Sequence, residues 1–196
     1  MKKLFGILLA VGTAAALTAS PVGAATDPAQ VVKTITAEVG AIARSQTGST
    51  RDAAIGQVLR RHFDWPAMAR AALGAHWNGA SEPQRARLLA AFETIESRTY
   101  GQRLGRLAGY DLKIDKVTPR DSGTWDVASR IDQPGGLPMS LTWEVRDSNQ
   151  GPRIADVRVV GISLSITKRS EFHSYIQKNG GAIEPLVQEL EKRATR

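Results

Sequence analysis

The chain has 196 residues, 42% of them hydrophobic and 23% charged, the balance of a folded globule rather than a disordered segment. It has no cysteine, which excludes a disulfide framework, a thiolate zinc site, a thiol nucleophile and a lipid anchor on cysteine. The 26 basic residues outnumber the 19 acidic ones, but they are scattered and form no recognition motif, so nucleic acid is not an expected partner.

The N-terminus has the pattern of an export signal. Lys2 and Lys3 precede an apolar, alanine-rich run over residues 4–17, and Val22-Gly23-Ala24 supplies small residues for cleavage. The run is short for a bilayer span. Residues 1–24 are therefore expected to be removed, leaving residues 25–196 as a single exported domain. Losing Lys2 and Lys3 lowers the net charge from +7 to +5. No second apolar run of membrane length follows, so the exported chain is expected to be soluble.

Asp27-Pro28-Ala29-Gln30 is a helix start, with Asp27 as cap and Gln30 able to reach back to the cap amide. Val31, Val32, Ile35, Val39 and Ile42 follow at helical spacing, and Gly48-Ser49 breaks the run. A second helix is expected from Thr50 to His62, burying Ile55, Val58 and Leu59. Asp64 caps a short third helix carrying Met68 and Leu73, with Gly74 as its stop. Ser81-Glu82-Pro83-Gln84 is a capping box that opens the longest helix, to about Leu107. Leu88, Leu89, Phe92, Ile95, Tyr100, Leu104 and Leu107 mark its apolar side. Gly101, Gly105 and Gly109 predict fraying or a bend toward its end.

Residues 110–160 change period. Tyr110, Leu112 and Ile114 alternate with Asp111, Lys113 and Asp115. Trp125, Val127 and Ile131 alternate with charged or small residues, as do Met139, Leu141, Trp143 and Val145, and then Ala155, Val157 and Val159. Each run makes a strand with one apolar and one wet face. The connections Asp121-Ser122-Gly123, Gln133-Pro134-Gly135-Gly136 and Ser148-Asn149-Gln150-Gly151 are tight turns. Gly161-Ile162-Ser163-Leu164 closes the sheet, a helix runs from about Lys168 to Lys178, Asn179-Gly180-Gly181 ends it, and Ile183, Leu186, Val187 and Leu190 mark a last helix. The expected class is α+β: an antiparallel four-stranded meander with helices packed on one face, enclosing an apolar pocket.

Catalytic hardware is sparse. The three histidines, His62, His76 and His173, show no metal-binding spacing, and neither a nucleophile elbow nor a phosphate-binding loop appears. Glu93 and Glu96 share a helix face, where paired acids are usually solvated. No catalytic residue, metal or cofactor is expected, and a binder is expected rather than an enzyme. One alternative is a small α+β pocket enzyme of isomerase or dehydratase type using His62, Asp64 or Tyr100. A scaffold with a solid core and an apolar groove is another.

The segment Phe63-Asp64-Trp65-Pro66-Ala67-Met68-Ala69-Arg70-Ala71-Ala72-Leu73-Gly74-Ala75-His76-Trp77 packs a cap, a helix start, apolar anchors and a stop into one unit. Together with Phe92, Tyr100, the run from Asp156 to Leu164, Arg169-Ser170-Glu171-Phe172 and Gly180-Gly181, it resembles the MlaC family of periplasmic phospholipid-binding proteins, the toluene-tolerance family. The resemblance covers nearly all of the exported chain. It departs at Trp65, where a smaller apolar residue or Phe is common, and at Ala155, where an aromatic is common. Both departures could reshape a pocket, and hopanoid-associated relatives share the pattern.

The resemblance implies a periplasmic carrier passing phospholipid between an outer-membrane lipoprotein complex and an inner-membrane ABC transporter complex, in support of outer-membrane lipid asymmetry. The acyl tails would lie between helices and sheet. Leu112, Ile114, Val127, Leu141, Trp143, Val157 and Val159 would form one wall of the slot, and Met68, Leu73, Phe92, Ile95 and Tyr100 the other. Lys168 and Arg169 are candidate partner contacts.

Overall fold

The structure is a computed structural model that describes residues 27–107, 111–121, 123–132 and 135–196. The expected signal segment, Gly109, Tyr110, Ser122, Gln133-Pro134 and the side chain of Leu107 lie outside the described residues.

Four helices come first: α1 (Pro28–Ser45), α2 (Gly48–His62), α3 (Trp65–Leu73) and α4 (Glu82–Leu107). Their starts follow from local chemistry. Asp27 accepts hydrogen bonds from the amides of Ala29 and Gln30, and Asp64 accepts from Ala67. The capping box of α4 forms in both directions, Ser81 to Gln84 and back. The Gln30 side chain does not return to the cap of α1; it bonds Thr34 instead. The second helix begins at Gly48 rather than Thr50, and Gly48 itself adopts φ 60°, a left-handed turn into the helix that glycine takes without strain.

A five-stranded antiparallel sheet follows, β1 (Leu112–Asp121), β2 (Thr124–Ile131), β3 (Met139–Arg146), β4 (Arg153–Val159) and β5 (Ile162–Ser163), in spatial order β1-β2-β3-β4-β5. The expectation of four strands misses only the two-residue β5. Leu164 belongs not to the sheet but to α5 (Leu164–Lys178), which starts four residues earlier than periodicity suggests. Ser163 caps it by accepting from Ile166, and Asp156 of β4 accepts from the Ser165 amide and from the Ser163 hydroxyl. A side chain on a strand thus supplies the missing helix-start signal. Last, α6 (Glu184–Ala194) packs on α4, where Arg87 bridges Glu184 and Glu191.

The outer sheet face is an ion-pair lattice, including Arg158–Asp126 at 2.6 Å, Arg120–Glu144 at 2.7 Å and Arg130–Asp115. The inner face is apolar, with Val127, Trp143 and Val157 on one rung and Ser129, Leu141 and Val159 on the next. In β4 a bulge after Ile154 shifts the register. Ile154, not Ala155, therefore opposes Val145, and both side chains are buried.

Helix α4 continues through Gly101 and Gly105 to Leu107, and both glycines have a packing reason. A Cβ on Gly101 would stand 2.4 Å from the Asp52 carbonyl oxygen, and one on Gly105 would stand 2.7 Å from the Arg51 and Asp52 side chains. Gly56 of α2 meets the Ser97 carbonyl in the same way, 3.2 Å from its own absent Cβ. These residues are small because α2 and α4 cross at backbone contact.

Candidate functional site

The helices cover the inner sheet face unevenly. Against β4 lie α3 and α5, and the space between is filled. Phe63 stacks on Trp65 at 5.4 Å, Trp65 meets Phe92 at 6.3 Å, and Phe92 meets Phe172 edge-on at 6.2 Å. Met68, Leu73 and Phe92 are buried in this mass, each at most 2% exposed.

Against the open ends of β1, β2 and β3 lies α1, and there the packing is incomplete. A cavity of about 340 Å³ opens between them. Ile35, Thr36, Val39 and Gly40 form its helical side, with Leu104 from α4. Leu112, Ile131, Leu141 and Trp143 form its sheet side. Lys33, Arg44 and Asp111 stand at its rim. The indole N–H of Trp143 donates to the Ser129 hydroxyl at 2.9 Å, which satisfies the only polar atom of that side chain inside the protein.

Of the twelve residues expected to line a slot, Leu112, Leu141 and Trp143 come together at this cavity. Val127 and Val157 flank Trp143 in register, and Val159 flanks Leu141, without lining the cavity. Ile114, Ile95 and Tyr100 are half-buried against the common core. Met68, Leu73 and Phe92 are occupied by packing, so the opposite wall is made by α1 and Leu104 instead. Ile35 and Val39 belong to the apolar repeat of α1, and Ile131 to the alternation of β2. Their role was hidden because periodicity shows that a residue is inward but not what it faces. Thr36 and Gly40 carried no signal beyond their small size.

Several polar expectations resolve differently. Glu96 is not solvated: it is 3% exposed and pairs with Lys168 of α5 at 3.1 Å. Burial, reinforced by the neighbouring Glu96 carboxylate, holds the Tyr100 phenol well above its usual range. Lys168 and Arg169 both have internal partners, Arg169 donating to the Ala71 carbonyl at 2.8 Å. His62 bonds Glu38 at 3.0 Å, and Asp64 is spent on its helix cap. Neither they nor Tyr100 line the apolar cavity. His76, in the 3-10 turn Gly74–Trp77 that follows α3, and His173 of α5 hydrogen-bond each other at 3.0 Å, a pairing that sequence spacing could not show.

A larger cleft of about 690 Å³ lies elsewhere, where Phe63, Trp65, Pro66 and Leu89 stand among Arg60, Arg61, Asp64, Glu93, Arg153 and the polar residues 148–150. It carries five charged side chains, Arg60, Arg61, Asp64, Glu93 and Arg153, against three at the cavity beside α1, and burying hydrocarbon among charges is costly. The cavity beside α1 is the better binding candidate because its charges stand at the rim and its inner walls, Ile35, Val39, Leu104, Leu112, Ile131, Leu141 and Trp143, are apolar.

A family model described as MlaC protein matches residues 29–192. The chain belongs to the MlaC family. Among solved structures, it is similar to the phospholipid-binding protein of Ralstonia solanacearum, solved in complex with a phospholipid. That likeness has a TM-score of 0.76 at 23% identity and covers 87% of this chain and 98% of the other. No curated protein matches it. Within this MlaC-family fold, the two departures from the family pattern fall away from the apolar cavity. Trp65 joins the aromatic stack and borders the polar cleft, and Ala155 sits at the β4 bulge.

Proposed function

We propose that this protein is a lipid carrier that holds phospholipid acyl chains between α1 and the inner sheet face. The observation that carries this reading is an open cavity between α1 and the inner sheet face whose inner walls are apolar. Family membership and the phospholipid complex of the Ralstonia protein support it.

The physical case is simple. A diacyl lipid has on the order of 28 tail methylenes, each favouring burial by ~0.8 kcal/mol, so exposing both tails costs on the order of 20 kcal/mol. Crossing an aqueous compartment unaided is therefore slow. A carrier needs a dry slot and neither acid, base nor metal. At ~30 Å³ per methylene-sized group, a space of about 340 Å³ holds roughly ten such groups. That is less than one pair of tails. The cavity is thus the closed form of a slot that must widen between α1, the end of α4 and the sheet.

On this reading residues 1–24 are an export signal, residues 25–196 are the carrier domain, and the protein works in the periplasm. There it passes lipid between an outer-membrane lipoprotein complex and an inner-membrane ABC transporter complex, which supplies the energy. Release is a handover, because escape into water costs too much. The chain has no native cysteine, so a crosslink between cysteines at positions 104 and 112 reports on opening alone. It should block transfer to acceptor vesicles while leaving bound lipid in place.

Native mass spectrometry of the purified protein is the direct test. A co-purified mass of phospholipid size is expected. A bare protein that also refuses phospholipid from vesicles would overturn the proposal.

A further inference from the structure

We infer that Arg44 is a phosphate-reading residue at the mouth of the apolar cavity, selecting lipids that carry a phosphodiester over neutral lipids with the same tails. The inference rests on the carrier reading and deepens it.

Most arginines of this protein are already engaged. Arg61 pairs with Glu38, Arg87 with Glu184 and Glu191, Arg120 with Glu144, and Arg158 with Asp126. Arg85, Arg98 and Arg169 donate to backbone carbonyls. At the cavity rim the pattern changes. Among the described residues, neither Arg44 nor Lys33 has a side-chain hydrogen bond or ion pair. Both stand on the rim of a space whose walls are otherwise apolar.

The direction of Arg44 is informative. It lies in the last turn of α1, where a cation suits the helix dipole. That role would aim it at the terminal carbonyls. Instead its guanidinium lies back over Gly40, with Nη1 3.3 Å from where a Cβ on Gly40 would be. Helical side chains lean toward the N-terminus, which carries Arg44 over the middle of the cavity and Lys33 away from it. The two are eleven residues apart, roughly 16 Å along the helix. Arg44 is therefore the contact, and Lys33 adds field at longer range.

The chemistry matches. A guanidinium presents a planar fork of donors to phosphate oxygens. A lipid whose tail enters between Gly40 and Leu141 places its polar end at the rim. Lys33, Arg44 and Asp111 give that rim a net charge of +1, complementary to one phosphodiester. Asp111, on the β1 side, repels phosphate from that side and leaves the α1 side as its seat. A neutral head group gains nothing from Arg44 and leaves it in water.

The experiment offers the purified, delipidated protein vesicles of neutral carrier lipid containing either dioleoyl phosphatidylglycerol or dioleoylglycerol. Uptake is measured by extraction and mass spectrometry. The unaltered protein should favour the phospholipid, and Arg44→Gln should cut that preference about tenfold, the loss of one charge-assisted contact. Its uptake of dioleoylglycerol should change far less than its uptake of the phospholipid. Arg44→Lys should restore part of the preference, and added salt should weaken it in the unaltered protein. An unchanged ratio in Arg44→Gln, with both lipids taken up, overturns the role of Arg44 alone. Uptake of neither lipid by the unaltered protein overturns the carrier reading and this inference with it.

Discussion

The two halves of the inner sheet face are covered by helices of different character. Over β4 the covering side chains are Trp65, Met68, Leu73 and Phe172, with Phe92 reaching in from α4, and their rings and apolar chains pack against one another in the core. Over the open ends of β1 to β3 the covering helix presents Ile35 and Val39 beside Thr36 and Gly40, and a hollow remains. The sheet is comparably apolar under both. What differs is the volume that the opposing helix delivers per turn. A protein interior packs at crystal density unless something prevents it, so an unfilled apolar space beside a filled one marks where a guest fits.

Emptying the filled half should have the largest effect. Phe92→Ala removes the ring shared by Trp65 and Phe172 and should cost about 3–5 kcal/mol in chemical denaturation. A cost below about 1 kcal/mol would mean that this half collapses as easily as the other, and the contrast would be lost.

Two glycines sharpen the comparison. Gly101→Ala drives a Cβ against the Asp52 carbonyl and should destabilise by about 1–3 kcal/mol, despite the better helix propensity of alanine. Gly40→Ala meets only the movable end of Arg44 and should stabilise by up to about 1 kcal/mol. Equal signs in the two melts would refute the distinction.

Filling the hollow is the next step down. Thr36→Leu should raise stability by about 1 kcal/mol, one extra buried methylene's worth, while lowering phospholipid uptake. Stability gained with uptake intact would place the tails elsewhere.

The smallest effect is one of pH. Burial and Glu96 raise the Tyr100 phenol above its usual range, so the folded protein keeps a proton that the unfolded chain loses near pH ~10. The stability from this group is fully present below about pH 10 and declines as the pH rises beyond it. Urea midpoints for Tyr100→Phe should fall less between pH ~8 and ~10.5 than those of the unaltered protein. Parallel decline in both would show that Tyr100 is not the group responsible.

The α+β class, the helix caps at Asp27, Asp64 and Ser81, the alternation that puts Leu141 and Trp143 inward, and the family resemblance were all legible in the amino-acid order. Each depends on neighbours within a few residues, where backbone geometry leaves little choice. The start of α5 was not legible, because its cap comes partly from Asp156 on a strand. The tight α2–α4 crossing was not legible either, since Gly101 and Gly105 look like weak helix residues until Asp52 is seen against them. Nor did periodicity show that Phe92 meets Phe172 while Leu141 and Gly40 line one cavity. Hydrophobic pattern fixes which side of each element is buried, but the volume left between two buried sides is the difference of many side-chain sizes. Only the assembled fold sets those sides against each other, and that is where the hollow was decided.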